Sequence, residues 1–358
     1  MLPPAIPIRF VLNPRASSSL PYGLRQKKVL NREDHEGAFR EISSWPGYAP
    51  TPLRSLPGLA GALGLNAIFV KDEGSRMGLG SFKALGGIYG VFRALKKYGK
   101  EGVGVSPVPG AGRTARSTRR PPFDLTVTCA SAGNHGKAVA RGASMFGCSA
   151  VVFLPADTSP HRVRAIESLG ARTVAVPGRF DDAVISAARE AREKGWVVVA
   201  DTTFPGHGEA PRHIMQGYTV MAREILEQTE ELGAPTHVFL QAGVGGLAAA
   251  IAGHFWETLG SARPRVVVVE PAEADGFLES ALAGAPSPSF GSLQTSMECL
   301  ACRNVSDLAW TILEEGAELC TAYGLDPLGS IASGALLVTV SDDGVDDLLT
   351  RYRAAGVP

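Results

Sequence analysis

A chain of 358 residues is longer than one hydrophobic core usually serves, so two domains are expected. Its 35 Lys and Arg balance 35 Asp and Glu, which removes the charge excess that nucleic-acid or anionic-membrane binding exploits. Abundant aliphatic residues, 42 glycines and only five cysteines exclude a disordered chain and a disulfide scaffold, and fit an α/β protein with tight helix-sheet packing.

The opening stretch MLPPAIPIRFVLNPRASSS has no charged region followed by an apolar one, so no signal peptide is expected. No run is long and apolar enough to span a bilayer, and the scattered cysteines suit free thiols in a reducing cytoplasm. The first clear element is a strand, AIFVKDE from Ala67, which runs through a Gly-rich turn into a helix at SFKALGGIYGVF. The segment 103–122, VGVSPVPGAGRTARSTRRPP, has no periodicity. It reads as a mobile surface insertion, the alternative being a nucleic-acid-binding arm.

From Leu125 the pattern becomes regular. The strand-like runs LTVTCA, AVVFLP, RTVAVP, WVVVADT, THVFLQA and RVVVVEP alternate with amphipathic helical stretches. Short Val-rich strands without alternation are what a parallel sheet covered on both faces needs, and the alternation with helices predicts open, doubly wound sheets. In such sheets ligands sit beyond the carboxyl ends of strands, which directs the search to the loops after LTVTCA and THVFLQA. Later, SLQTSMECLACR reads as a helix carrying Cys299 and Cys302 on one buried face. A zinc site would need a second ligand pair close by, and Cys129, Cys148 and Cys320 do not provide it.

Three motifs carry chemistry. Lys83 follows Phe82 at a helix start, where the positive helix end disfavours protonation and leaves an amine able to condense with an aldehyde. Taken alone, such a residue reads rather as a surface lysine on an amphipathic helix. SAGNHGKAVA, from Ser131, places small residues and Gly133 after a strand, a main-chain nest for an anion such as a carboxylate. Asn134 adds a donor, and His135 has a turn-capping alternative. QAGVGGLAAA, from Gln241, places Gly243, Val244, Gly245, Gly246 and Leu247 where amide groups can wrap a phosphate. The last motif also matches the dinucleotide pattern GxGxxA, with Glu270 ending the next strand. This leaves an NAD-dependent oxidoreductase as a rival.

The order of the three motifs resembles the fold type II pyridoxal-phosphate (PLP) enzymes, which include threonine and serine dehydratases and the tryptophan synthase β-subunit. The resemblance is closer to the diaminopropionate ammonia-lyase branch. It runs through YAPTPLRSLPGLA from Tyr48, KDEGSRMGLGSFKALGG from Lys71, DTTFPGHGEAPRHIMQGYTVMA from Asp201, VVVVEPAEAD from Val266 and TSMECLACRNVSDLAWTIL from Thr295. It implies two open doubly wound α/β sheets with PLP in the cleft between domains, residues 1–88 and 205–358 forming the larger and 89–204 the smaller. It implies a cytoplasmic homodimer that removes ammonia from 2,3-diaminopropionate, giving pyruvate.

Residue by residue, the resemblance gives Lys83 the covalent hold on the cofactor and the transfer of the Cα proton, and Phe82 the packing against its ring. Asn134 meets the phenolic oxygen. Ser131, Ala132, Gly133 and His135 line the substrate carboxylate. Gly243 to Leu247 hold the phosphate, Ser333 faces the pyridine nitrogen, and Asp201 lies close to the substrate amine. The chain departs from the branch at Ala132, where an aspartate usually serves as base for the D-isomer, and at Ala332, where an acid is usual. Ala132 points to use of the L-isomer through Lys83. It also keeps a threonine or serine dehydratase, and a non-catalytic relative binding PLP or an amino acid, as alternatives.

Overall fold

The computed structural model describes residues 9–99, 105–107, 124–203, 208–322 and 335–339. Most of the insertion expected at 103–122, and Ser333, lie outside the described residues. In chain order the strands are β1 (Arg9–Val11), β2 (Leu53–Ser55), β3 (Ala67–Lys71), β4 (Thr126–Ala130), β5 (Ser149–Pro155) and β6 (Arg172–Val176). They continue with β7 (Val197–Val198), β8 (His237–Gln241), β9 (Arg265–Pro271), β10 (Glu318–Ala322) and β11 (Ala335–Thr339). Among the described residues no helix is long and apolar enough to cross a membrane.

The chain divides into two compact units. The larger comprises residues 1–36, 50–75 and 219–358, and the smaller comprises 37–49 and 76–218. The boundary expected at 88/89 therefore falls at 75/76 in this division, and Lys83 belongs to the smaller unit. The helix Glu209–Thr229 contributes residues to both.

The smaller unit holds a four-stranded sheet in the order β6-β5-β4-β7. All its pairings are parallel, as the Val-rich runs predict. Its core joins the helices Lys83–Tyr98 and Asn134–Phe146 through small residues. A Cβ on Gly87 would lie 2.5 Å from Ala138 Cβ, and one on Gly142 would lie 3.1 Å from the Ile88 backbone. Trp45 packs edge-on to Phe146 and Phe92, closing the end of this layer.

The larger unit holds a seven-stranded sheet in the order β1-β10-β9-β8-β11-β3-β2. Here the Val-rich runs THVFLQA and RVVVVEP again pair in parallel, and antiparallel strands extend the sheet beyond them. Only β8, β9 and β10 pair in parallel, and β1, β2, β3 and β11 join antiparallel. The helix Gly246–Leu259 is apolar through its first two turns and buried from Gly246 through Trp256, against the helix Asp307–Gly316. The strand β3 ends in a charged cluster that is fully buried. Lys71 Nζ meets Glu224 Oε2 at 2.7 Å and donates to Thr51 O at 2.7 Å and Gln228 Oε1 at 2.8 Å. A lysine so buried must have its charge and N–H groups matched, and this network ties the strand that leads into the Lys83 turn to the helix Glu209–Thr229.

Candidate active site

After β3 the chain turns through Glu73–Gly78, with Met77 in the left-handed region (φ 48°), and enters the helix at Lys83. Ser81 Oγ accepts from the Lys83 amide at 3.2 Å. Phe82 is buried at the helix start, and Lys83 Nζ stands 5.6 Å from the centre of its ring. What the sequence could not supply is the partner of Lys83. Asp201, three residues past the end of β7, accepts from Nζ at 2.6 Å. Each side chain is about 25% exposed, so the pair is half-sheltered and remains reachable.

The loop after β4 enters the same place. The Ser131 amide donates to Phe153 O, and Ser131 Oγ accepts from the Gly133 amide at 3.2 Å. A Cβ on Gly136 would lie 2.3 Å from Ser131 O, so the loop closes on the helix only with glycine there. No side chain caps the helix Asn134–Phe146 at Gly133, which leaves its first amides turned outward. Ser131, Ala132, Gly133 and Asn134 are half-buried around this opening. Lys137 Nζ reaches Leu79 O at 3.4 Å, joining the loop to the Lys83 turn.

His135 is buried, and its Nε2 lies 2.8 Å from Val199 O. A carbonyl only accepts, so the proton sits on Nε2. Its Nδ1 faces Asp201 Oδ2 at 3.9 Å and has no hydrogen-bond partner. Burial pushes the His135 pKa down, against the pull of Asp201, and the ring is therefore neutral at physiological pH. Burial raises the Asp201 carboxyl, but the opposing charges of His135 and Lys83 and the Lys83 hydrogen bond overcome it and hold the group below the usual carboxylate range. With His135 neutral, Lys83 carries this effect.

The structure thus brings Phe82, Lys83, His135 and Asp201 together within the smaller unit. It adds a residue that the sequence reading missed. Tyr218 is buried, packs edge-on to Phe82 at 5.1 Å, and lies within electrostatic reach of Lys83 and Asp201. Its hydroxyl makes no hydrogen bond of good geometry. The available signal was glycine in the middle of two helices: a Cβ on Gly86 would lie 2.4 Å from Tyr218 Cε1, and one on Gly217 would lie 2.6 Å from Leu85 O. Two cavities of about 620 and 470 Å³ in this unit share Arg93, Lys97, Glu209 and His213, and neither includes Lys83 or Asp201.

The glycine loop of the larger unit follows β8. Ala242 donates to Val269 O at 3.0 Å, and Val244 O accepts from the Ser306 amide at 3.1 Å, so both ends of the loop are pinned. Gly245 has φ +90°, and a Cβ there would lie 2.1 Å from Phe277 Cζ. A Cβ on Gly243 would lie 3.0 Å from Cys302 Sγ. No side chain caps the helix that begins at Gly246, so the amides of Gly246 and Leu247 are open to an anion. A bare, positively polarised helix start cradled by side-chain-free residues is what a phosphate tail requires, and the loop fits PLP on that ground.

Two expectations change here. Glu270, the acid of the dinucleotide reading, is 1% exposed, and its two oxygens accept from Phe277 N at 2.9 Å and Leu278 N at 3.0 Å. It anchors the helix Gly276–Ala283 and has no oxygen to offer a ribose. The segment around Cys299 and Cys302 is not a helix with buried thiols. Only Glu298–Leu300 forms a short 3₁₀ turn, Cys299 is exposed and Cys302 half-buried, and neither is in a disulfide. The Gln294 amide donates to Ser292 Oγ and the Met297 amide to Thr295 Oγ1, bonds that compete with helix formation just upstream.

Comparison with known proteins follows the same lines. The pattern of the family described as pyridoxal-phosphate dependent enzyme matches residues 44–326. A diaminopropionate ammonia-lyase of Salmonella typhimurium is 38% identical over 274 residues, covering 75% of this chain and 67% of that protein. One of Escherichia coli is 37% identical over 313 residues, covering 87% of this chain and 76% of that protein. The crystal structure of the Escherichia coli enzyme in complex with an aminoacrylate-PLP azomethine reaction intermediate superposes with a TM-score of 0.76 at 29% identity, covering 98% of this chain and 87% of that one.

Proposed function

The chain belongs to the pyridoxal-phosphate dependent enzymes, within the diaminopropionate ammonia-lyases, and we propose from this premise that it eliminates ammonia from 2,3-diaminopropionate to give pyruvate and a second ammonia. The observation that carries the reading is the Lys83–Asp201 contact at 2.6 Å, an amine and a carboxylate at the mouth of an uncapped helix start.

Bound PLP supplies an electron sink for the negative charge that develops at Cα. The chain supplies position and proton transfer. Lys83 would hold the cofactor's aldehyde, and its Nζ would take the Cα proton. Phe82 would pack against the ring, and Asn134 would donate to the phenolic oxygen. Gly243, Val244, Gly245, Gly246 and Leu247 bind the phosphate through main-chain amides. Ser131, Ala132, Gly133 and the His135 amide orient the substrate carboxylate. Asp201 keeps the side-chain amine charged, so that it departs as neutral ammonia. Ser333 is assigned to the pyridine nitrogen by family position alone. Ala132 carries no ionisable group, so Cα proton transfer falls to Lys83 and to one face of the substrate.

We assign the enzyme to the cytoplasm as a homodimer on the same family ground. Mass measurement in solution checks the dimer. Purified protein is expected to show a visible absorption band that borohydride abolishes, with L-diaminopropionate turned over faster than L-serine, L-threonine or D-diaminopropionate. Absence of the band after PLP addition overturns the cofactor assignment. Equal turnover of the D- and L-forms overturns the stereochemical one. Faster turnover of serine or threonine makes the chain a dehydratase.

A further inference from the structure

His135 and Asp201 present two acceptors to each other. The Nε2–H of His135 is spent on Val199 O at 2.8 Å, and its ring is 3% exposed. Nδ1 is therefore a bare lone pair, buried and without a partner, 3.9 Å from a carboxylate oxygen that cannot donate to it. A donor with two or more polar hydrogens placed between or beside the two satisfies both, and an ammonium is such a donor with a charge that Asp201 also matches. Lys83 Nζ now holds the same Asp201 Oδ2. With Lys83 committed to the cofactor, Asp201 Oδ2 would lose this partner, and both acceptors would be left to another donor.

We propose that His135 Nδ1 and Asp201 together seat the side-chain ammonium of a diamino acid, and that His135 is the residue that selects an amine over a hydroxyl as leaving group. The proposal rests on the assignment of Lys83 above. An ammonium has three N–H donors and satisfies both acceptors. A serine or threonine hydroxyl has one and leaves an acceptor unmet in a buried site. The side-chain amine stays charged in this seat. When its C–N bond breaks, the bonding pair goes to nitrogen and ammonia leaves without an added proton. The Cα–H pair becomes the new C=C bond, and the proton goes to Lys83. The lone pair of Nδ1 repels a carboxylate, so His135 serves the substrate carboxylate through its main-chain amide and the substrate amine through its ring.

The test compares L-diaminopropionate with β-chloro-L-alanine, whose leaving chloride offers no N–H donor. His135→Leu should lose about 10–100-fold more kcat/KM on the diamino acid than on the chloro compound, as expected when a buried polar partner is removed. His135→Gln, which restores an acceptor oxygen, should recover part of the difference. Equal losses on both substrates would mean a structural role only and would overturn the inference. If the variants do not fold, ¹⁵N NMR of the unmodified chain decides: Nε2 protonated and Nδ1 bare supports it, and a proton on Nδ1 refutes it. An active lyase with equal losses sinks this inference alone, whereas failure of the chain to link PLP sinks the assignment beneath it.

Discussion

The two units prepare helix starts by opposite means. In the smaller unit the opening is furnished with side chains: Lys83 and Asp201 in contact, His135 behind them, and Tyr218 under Phe82. In the larger unit the loop from Gly243 to Leu247 works by omission. Gly245 has no room for a Cβ, Gly243 leaves only a tight fit against Cys302, and the helix behind them is apolar through its first two turns. The difference follows from the tasks. Proton transfer needs ionisable groups whose state their neighbours tune, whereas a phosphate needs amides at close range and nothing in the way. The side-chain site should therefore tolerate backbone-neutral changes structurally and fail chemically. The glycine site should fail structurally first.

The strongest way to break this contrast is Lys83→Ala. Turnover should drop by ~10²–10⁴-fold or more, the range of a positioned acid-base group, while thermal unfolding stays close to that of the parent. Undiminished turnover would remove Lys83 from the reaction. Gly245→Ala should behave the opposite way. Its Cβ would lie 2.1 Å from Phe277 Cζ at a φ that alanine adopts poorly, so unfolding free energy should fall by about 1–3 kcal/mol and PLP retention with it. Denaturant melts and dialysis against PLP-free buffer measure both. An unchanged melt would mean that the loop yields more easily than its packing implies.

The same contrast explains what could be read from the residues alone. The parallel sheet of the smaller unit was legible, because Val-rich runs such as SAVVFLP have one economical home. The outer strands of the larger sheet were not. RFV and LRS are three residues long, carry no period, and owe their place to partners distant in sequence. Lys83 and the loop glycines stood out as motifs. The Lys83–Asp201 pair, 118 residues apart, did not, since contact between distant loops leaves no local mark. Nothing local marks Lys71 as fully buried, because its partner Glu224 lies on a remote helix. Ser306, whose amide pins Val244 O, was equally invisible.

Acid should distinguish the larger unit further. His254 sits on its apolar helix, edge-on to His35 at 4.7 Å. Burial, with the charges of His35, Arg223 and Arg32, depresses its pKa from 6.5 to about 3, while Glu257 lies 3.3 Å from His35. Between these values the unfolded chain binds the proton and the folded chain does not. Stability should rise with pH over this window and be lost as pH falls below about 6.5, by up to roughly 1.4 kcal/mol per pH unit for this group. Urea melts of the parent and of His254→Gln at pH 7 and pH 5 test this. The variant should lose less on acidification, and equal losses would place the acid sensitivity elsewhere.

The smallest expected effect is the most informative about how the two kinds of site combine. Tyr218 belongs to the packing by its ring and to the chemistry by its hydroxyl. The ring lies against Gly86, one turn beyond Lys83, and edge-on to Phe82 at 5.1 Å. The hydroxyl is buried, and burial raises its pKa, the Lys83 charge opposing and the Asp201 charge reinforcing the shift, so it stays a phenol through the working range. A phenol can accept from the Lys83 ammonium and donate to the free amine, which suits a group steadying Lys83 in both protonation states. Tyr218→Phe keeps the ring and removes the hydroxyl. Because that hydroxyl lacks a well-formed bond, its loss should leave unfolding free energy equal or up to about 1 kcal/mol higher. kcat should nonetheless fall by several-fold with KM unchanged. A residue serving packing alone would leave kcat untouched in this variant, and one serving only the substrate would move KM. The opposed signs in stability and turnover are what a polar group retained for chemistry inside a packed helix contact should give.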